Sequence, residues 1–245
     1  MITIECLGSG NMYNSKLGNT SFILTNDQSC RVLLFDCGRT VFSILKEKDY
    51  LDKITDVFIT HLHNDHIGSL EAIACYNHFA KNKKKINLHL ATKKIAKACN
   101  LFISNSICCA KDDNGQSYNL KLEDFFNVII SKKIDLEAYP TIKYIKAYHT
   151  TGINEFSICV GKKIYYSGDS TTLPPSNFEL IFQDVGFHID NPGQVHLCYN
   201  KLLSDFDKTK RNKVNLIHLC DGYINHNPIA DGFRGFVFAG DKFTI

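Results

Sequence analysis

The segment His61-Leu62-His63-Asn64-Asp65-His66 sets three imidazoles and one carboxylate within six residues. Imidazole nitrogen and carboxylate oxygen together form a donor set for a divalent cation, zinc foremost, with manganese or iron as alternatives. His61 and His63 are two apart, so on extended chain they project to one side and can chelate a single ion. Asp65 and His66 fall past a bend, where a helix starts, and can serve a second. Burying four such groups together needs a compensation that metal supplies best. A helix N-terminus at that point would also offer unpaired N–H groups to an anion.

The elements that must hold this cluster are legible around it. Val57-Phe58-Ile59 is a short apolar run and reads as a buried strand leading into Thr60-His61. Ile67, Leu70, Ile73 and Ala74 recur at helical spacing, so a helix starts near His66. Before the cluster, residues 2–7, 22–25 and 31–35 read as strands and 40–48 as a helix. After it come a strand at 87–90, a short helix at 92–99, and a polar stretch at 104–124 containing the turn Asp112-Asp113-Asn114-Gly115. That stretch reads as an insertion or cap. Strands return at 141–147, 155–160, 163–166 and 214–217, a helix follows His196, and 235–239 closes the sheet. Strand runs in both halves, each followed by helices, indicate an α/β domain of two sheets with helices outside, spanning residues 1–245.

Composition narrows the class. With 245 residues, 44% hydrophobic and 22% charged, the chain is an ordinary globular one. No run approaches the eighteen or so apolar residues a membrane span requires. The start, MITIECLGSG, lacks a basic lead and a long apolar core, which points to the cytoplasm rather than secretion. Ten scattered cysteines without a CxxC pair read as free thiols, mostly buried, although Cys37 and Cys220 lie close to the motifs. The neighbours Cys108 and Cys109 mark a core or interface position. A net charge of +3, concentrated in the lysine runs at 81–85 and 208–213, suits solvated helix ends or a small phosphate-bearing substrate. A long nucleic acid would need a broader basic surface.

The hexapeptide is an HxHxDH signature and resembles the metallo-β-lactamase-like superfamily, whose four-layer αββα sandwich the chain is therefore expected to adopt. The resemblance runs over most of the sequence. Asp36-Cys37-Gly38 looks like the turn that supports the metal loop in that family. His149 is similar to the third histidine of the first metal site, Asp169 to the bridging aspartate, and His218 to the last ligand of the second site. The resemblance implies one ion on His61, His63 and His149, another on Asp65, His66 and His218, and Asp169 between them. It also implies hydrolysis by a hydroxide held between the ions, on substrates that range from lactones and thioesters to phosphodiesters.

Residues 180–187 and Gly193-Gln194-Val195-His196, taken to open a helix, resemble the ribonuclease Z-like branch. Carried over, His196 assists the leaving oxygen and Asp184 orients it. Two departures argue against transfer-RNA processing. His149 and Asp169 are too close in sequence for the arm that grips transfer RNA, and His218-Leu219-Cys220-Asp221 lacks the Ser and Arg that usually follow that histidine. What remains resembles armless phosphodiesterases, among them the phage anti-Pycsar cyclic nucleotide phosphodiesterases. The expectation is a homodimer that hydrolyses a cyclic mononucleotide. A lactonase or thioesterase on the same metals, an RNA nuclease, or a protein that sequesters nucleotides without turnover are the alternatives. His188 and His226 flank the matched motifs and could reach substrate; His78 and His89 read as surface or partly buried.

Overall fold

The computed structural model describes residues 1–14, 16–81, 84–107, 109–111, 114–188 and 193–245. In chain order the first half contributes β1 (Ile2–Gly8), β2 (Ser21–Asn26), β3 (Val32–Phe35), helix α1 (Val41–Glu47), β4 (Asp56–Ile59) and the short helix α2 (Asn64–Ile67). Next come α3 (Leu70–Cys75), β5 (Ile86–Leu90), α4 (Lys93–Ile107), the hairpin β6 (Cys109–Lys111) and β7 (Ser117–Asn119), and α5 (Leu122–Phe125). The chain continues through β8 (Phe126–Ile130), β9 (Lys133–Ile134), β10 (Ile142–Ala147), β11 (Glu155–Val160), β12 (Ile164–Tyr166) and β13 (Leu180–Asp184). It ends with α6 (Tyr199–Asp205), β14 (Val214–Ile217), β15 (Gly235–Phe236) and β16 (Lys242–Thr244).

Two seven-stranded sheets result, ordered β16-β1-β2-β3-β4-β5-β8 and β15-β14-β13-β12-β11-β10-β9. Each begins as an antiparallel meander and becomes parallel, from β3 to β8 in one and from β12 to β15 in the other. β4, β11, β13 and β14 are buried along their whole length, as expected of strands covered on both faces. The sheets meet through aromatic side chains: Phe22 of β2 packs on Tyr166 and Phe182, and Phe58 of β4 lies near Tyr144 of β10. α1, α3 and α4 bury Val41, Leu45, Leu70, Ile73, Ile95 and Ile103 in the core shared with the first sheet. On the far side of the second sheet Leu202 and Phe206, in and just after α6, pack with Ile181 and Leu216. This is the layered arrangement expected from the resemblance.

Several local readings change. α4 runs to Ile107, well past the expected end at Cys99, because Ile95, Cys99 and Ile103 fall four apart on one buried stripe. The expected insertion at 104–124 is the end of that helix, a small hairpin and α5; Leu120 and Leu122 join the main core. Cys108 and the Asp112-Asp113 part of the expected turn lie outside the described residues, as do Asn82 and Lys83 of the lysine run. β8 and β16 were not expected. Moreover, β16 does not extend the second sheet after β15 but crosses to pair with β1 on the edge of the first. The 208–213 run is a 3-10 helix rather than a solvated helix end throughout: Arg211 is buried and its Nη1 donates to Asp231 O at 2.9 Å. His78 and His89 are buried, the latter stacked 4.1 Å from Phe58 and 2.8 Å from Asp56 Oδ1. Five cysteines are buried, while Cys30 and Cys109 are exposed, so of the core or interface position expected of Cys109 the core alternative does not hold. Among the described residues no helix is long and apolar enough to cross a membrane.

Candidate metal centre

The cluster forms where strands end. β4 stops at Ile59 and hands over to His61, β10 to His149, β12 to Asp169, β13 carries Asp184 as its last residue, and β14 hands over to His218. In open α/β sheets the carboxyl ends of strands are where ligands sit, because the following loops converge there. The nine residues singled out from the sequence all arrive. His61, His63, His149 and Asp169 form one group, Asp65, His66, Asp169 and His218 a second, and Asp169, Asp184, His196 and His218 a third, each with donor atoms within 4.8 Å of one another.

Asp169 is common to all three groups, and its two oxygens divide the work. Oδ2 faces His61 Nε2 at 3.7 Å and His149 Nε2 at 3.6 Å. Oδ1 faces His66 Nε2 at 3.1 Å and His218 Nε2 at 3.3 Å. His63 Nδ1 closes the first side, 3.0 Å from His61 Nε2 and 3.2 Å from His149 Nε2. Asp65 Oδ2 closes the second, 3.1 Å from His218 Nε2. One carboxylate thus stands between two sets of nitrogen donors.

Most of the cluster is sealed from solvent, and its charges settle accordingly. Burial alone would lower His66, but the carboxylates of Asp169 and Asp36 outweigh it and hold the imidazole well above its usual range. Burial opposes protonation of His218 too, yet Asp169 and Asp184 raise it to about 10. Burial would raise Asp169, but the charges on His218 and His66 keep it well below the usual carboxylate range. The raised imidazoles of His66 and His218 thus offset part of the carboxylate charge. Among the described residues buried Asp65 Oδ1 has no hydrogen-bond partner, and Asp169 Oδ1 and His66 Nε2, though 3.1 Å apart, make no well-aligned bond. Unpartnered buried donor atoms converging from several elements fit divalent metal, which would replace the protons and satisfy those atoms.

A layer of support fixes the donors, and sequence reasoning recovered only part of it. Asp36 is held at φ +55°, and its carboxylate accepts from Thr60 N–H, Thr60 Oγ1 and Tyr166 Oη at 2.8 Å each while lying 2.8 Å from His66 Nδ1. The expected supporting turn is therefore real, and its Gly38 is required: a Cβ there would stand 1.9 Å from Asp65 O. Cys37 joins through its backbone, with N–H donating to His66 O at 2.7 Å. The N–H groups of His66 and Ile67 already donate to His63 O, so they are not free for an anion.

Glu155 was missed. Its Oε1 accepts from Asp169 N–H at 3.1 Å and its Oε2 stands 2.8 Å from His61 Nδ1, so it orients one donor and anchors another. Burial, with the charge of Asp169, pushes this carboxyl well above its usual range. The available signal was an acid heading the strand Glu155–Val160, apolar but for Ser157, every residue of which is buried. His149 Nδ1 donates to Val195 O at 2.6 Å, which ties the first group to the loop carrying His196.

His196 does not open a helix as expected. α6 begins at Tyr199, because Leu197 N–H donates to Ser170 O and Gly186 N–H to Leu197 O, drawing the preceding residues along the strand ends. That detour aims His196 at the cluster. Its Nδ1 lies 2.9 Å from Asp184 Oδ2, and Nε2 has no partner among the described residues. Asp184 also lies 3.3 Å from His218 Nδ1 through Oδ1 and accepts from Ser170 N–H at 3.0 Å, so it serves two histidines. Burial would lower His196, but the Asp184 carboxylate raises it above the ordinary imidazole range. His188 and His226 line a separate cavity with Phe187 and Tyr199, and Cys220 belongs to none of the three groups.

Above the cluster lies a cavity of about 280 Å³ bounded by Asn11, Tyr13, Thr150 and Val195 together with the histidines and carboxylates. Among the described residues that line it there is no lysine or arginine.

A His/Asp cluster of this kind at the strand ends of two facing sheets defines a metallo-β-lactamase-fold protein. Solved structures of that fold match along nearly the whole chain. The protein YhfI from Bacillus subtilis has a TM-score of 0.71 at 15% identity, with 99% of this chain and 98% of that one covered. A diphosphatase of the PhnP family has a TM-score of 0.71 at 16% identity, covering 100% and 98%. The short form of human tRNase Z has 0.67 at 18% identity, covering 99% of both chains. The family model for anti-Pycsar protein Apyc1 matches residues 2–243, and the chain belongs to that family. Relatives include the anti-Pycsar proteins Apyc1 of Bacillus phage BSP38, 27% identical with 89% of each chain covered, and of Paenibacillus harenae, 28% identical with 89% of this chain and 90% of that one covered.

Proposed function

We propose that this chain is a metal-dependent phosphodiesterase that opens a cyclic mononucleotide, in a counter-defence role that its family name suggests. The observation that carries the reading is His196. It is a raised imidazole anchored by Asp184 through one nitrogen, with the other free, at the edge of the Asp169 cluster. A thioester releases a thiolate that departs readily without a proton, whereas a ribose oxygen leaving phosphorus is a strongly basic alkoxide that calls for an acid. The cavity is also small, and among the described residues that line it none is a lysine or arginine that would track a nucleic-acid backbone.

His61, His63 and His149 are proposed to hold one ion and Asp65, His66 and His218 another, with Asp169 shared; the donor set favours zinc. Two such ions, when bound, acidify water and stabilise charge on the phosphoryl group. The protein's own part is positional. Glu155 and Asp36 hold His61 and His66 in orientation, and Asp184 keeps His196 protonated and directed, so that its free nitrogen donates to the departing oxygen. A homodimer acting in the cytoplasm belongs to the same proposal and rests on the resemblance.

A panel of cyclic mononucleotides, cyclic dinucleotides and short RNAs, incubated with zinc or manganese and separated by chromatography, tests the reading. Conversion of a cyclic mononucleotide to its linear monophosphate is expected. Quantitative recovery of unchanged nucleotide would favour sequestration instead, and turnover of lactones alone would favour a lactonase.

Metal removal has its own expected result. Ligation stabilises the native state by about 4 kcal/mol when free metal is a thousand times its dissociation constant. For a chain of this size each kcal/mol moves the melting point by about 2–4 °C. Exhaustive chelation should therefore lower the melting temperature by on the order of 10 °C, and added zinc should restore it. A melting curve indifferent to both would sink the metal assignment.

A further inference from the structure

A second cavity, about 180 Å³, opens beside the cluster. His63 lines both spaces, so they meet at its imidazole. The second space differs in chemistry from the first. Leu62, Ile95, Ala98 and Ile153 give it apolar walls, and among the described residues His63, Lys94 and Asn154 add the polar side chains. Among the described residues neither the Lys94 ammonium nor the Asn154 side-chain amide has a partner. Apolar walls with a few placed polar groups are the usual make-up of a small-molecule subsite. Cavities that enclose a drug-sized ligand start at about 300 Å³. This one therefore suits a single ring system and not a whole nucleotide.

We infer that this space is the nucleobase subsite, an assignment that rests on the cyclic-nucleotide reading. The phosphodiester lies over Asp169 and His196, and the base turns past His63 into the gap between α4 and the β10–β11 connection. A nucleobase has apolar faces and a polar edge, and the walls provide for both. Its faces bury against Ile95, Ala98 and Ile153, while its edge meets Asn154, which can donate and accept, and Lys94, which donates. The side chains that recognise the base are then distinct from those that handle the phosphate, and the short β10–β11 connection becomes a specificity element.

Two variants test this. Ala98→Phe fills the space with a ring of the protein's own, and Asn154→Ala removes an edge contact without adding bulk. Each is assayed on a cyclic mononucleotide and on the baseless 3′,5′-cyclic phosphate of 1-O-methylribose, with metal content and melting temperature recorded. For the nucleotide, KM should rise about tenfold or more in Ala98→Phe and roughly threefold to tenfold in Asn154→Ala. Both kinetic constants for the baseless diester should stay unchanged. An equal shift on both substrates, or a nucleotide KM that moves in neither variant, overturns the subsite while leaving the phosphodiesterase reading intact. Failure of the unaltered protein to cleave either substrate overturns that reading and the subsite with it.

Discussion

Asp169→Ala should reduce turnover by about three orders of magnitude or more, a transition-state loss of about 4 kcal/mol, and should deplete both metal positions together. Its two oxygens face different donor groups, His61 and His149 on one side and His66 and His218 on the other. No other residue in the cluster faces both in this way. Removing the carboxylate also takes away the charge that holds His66 and His218 protonated in the absence of metal. Two imidazoles then face each other with fewer counter-charges in a site closed to water. Asp169→Asn keeps the volume and separates loss of charge from loss of fold. Metal content by atomic emission, measured beside kcat, decides the matter. A variant that binds both ions normally and still turns over would show that Asp169 is structural.

Asp65→Ala is a useful companion, since Asp65 faces only the second group. It should abolish turnover while weakening one metal position selectively.

The second large effect is kinetic. His196→Ala should lower kcat by about 10²–10⁴ with metal content unchanged, because His196 meets the cluster through Asp184 and its second nitrogen is unclaimed. The pH profile supplies a further sign. An acid acts only while protonated, and the Asp184 carboxylate raises His196 above the ordinary imidazole range, near pH 6.5. Activity should therefore persist through neutrality and fall as the pH climbs past the raised value. The alanine variant should lose that alkaline limb. A nitrophenolate leaves without needing a proton, so the rate loss should shrink when the substrate is bis(p-nitrophenyl) phosphate. Equal losses on both leaving groups, or metal loss matching that of Asp65→Ala, would rule out the role of acid.

The support layer shows why some of the site was legible and some was not. His61, His63, Asp65 and His66 are adjacent in sequence, so alternation along extended chain followed by a helical turn was enough to orient them. His149, Asp169 and His218 each follow a strand, and their motifs carried them. Glu155 follows no motif. It matters because β11 pairs with β12 at a register that brings its carboxyl beneath Asp169, a relation between strands that local pattern does not encode. Likewise His218 sits at φ +61°, a conformation that costs a non-glycine residue about 1–3 kcal/mol. It persists because Leu219 N–H is tied to Ser9 O across the molecule at 2.8 Å.

Element readings followed the same division. The strands flanking the metal motifs were apolar and short, and they were found close to their observed limits. α4 outran its expected end because packing of Ile103 overrode a run of poor helix formers, Asn100, Ser104, Asn105 and Ser106. β16 could not be assigned to the first sheet from its own residues, since pairing partners distant in sequence are chosen by the closure of the whole fold.

By itself, then, the sequence determined the donor chemistry of His61 to His66 and the two-sheet architecture, through residue type, short spacing and hydrophobic period, while the family resemblance supplied His149, Asp169, Asp184, His196 and His218. Only the tertiary structure decided that Asp169 divides its oxygens between two groups, that Glu155 and Asp36 brace the histidines, that Asp184 serves two imidazoles, and that an apolar cavity adjoins His63. Each of these is a relation between segments far apart in the chain. Such relations arise when buried polar atoms must find partners as the two sheets close, and no window of sequence contains both partners.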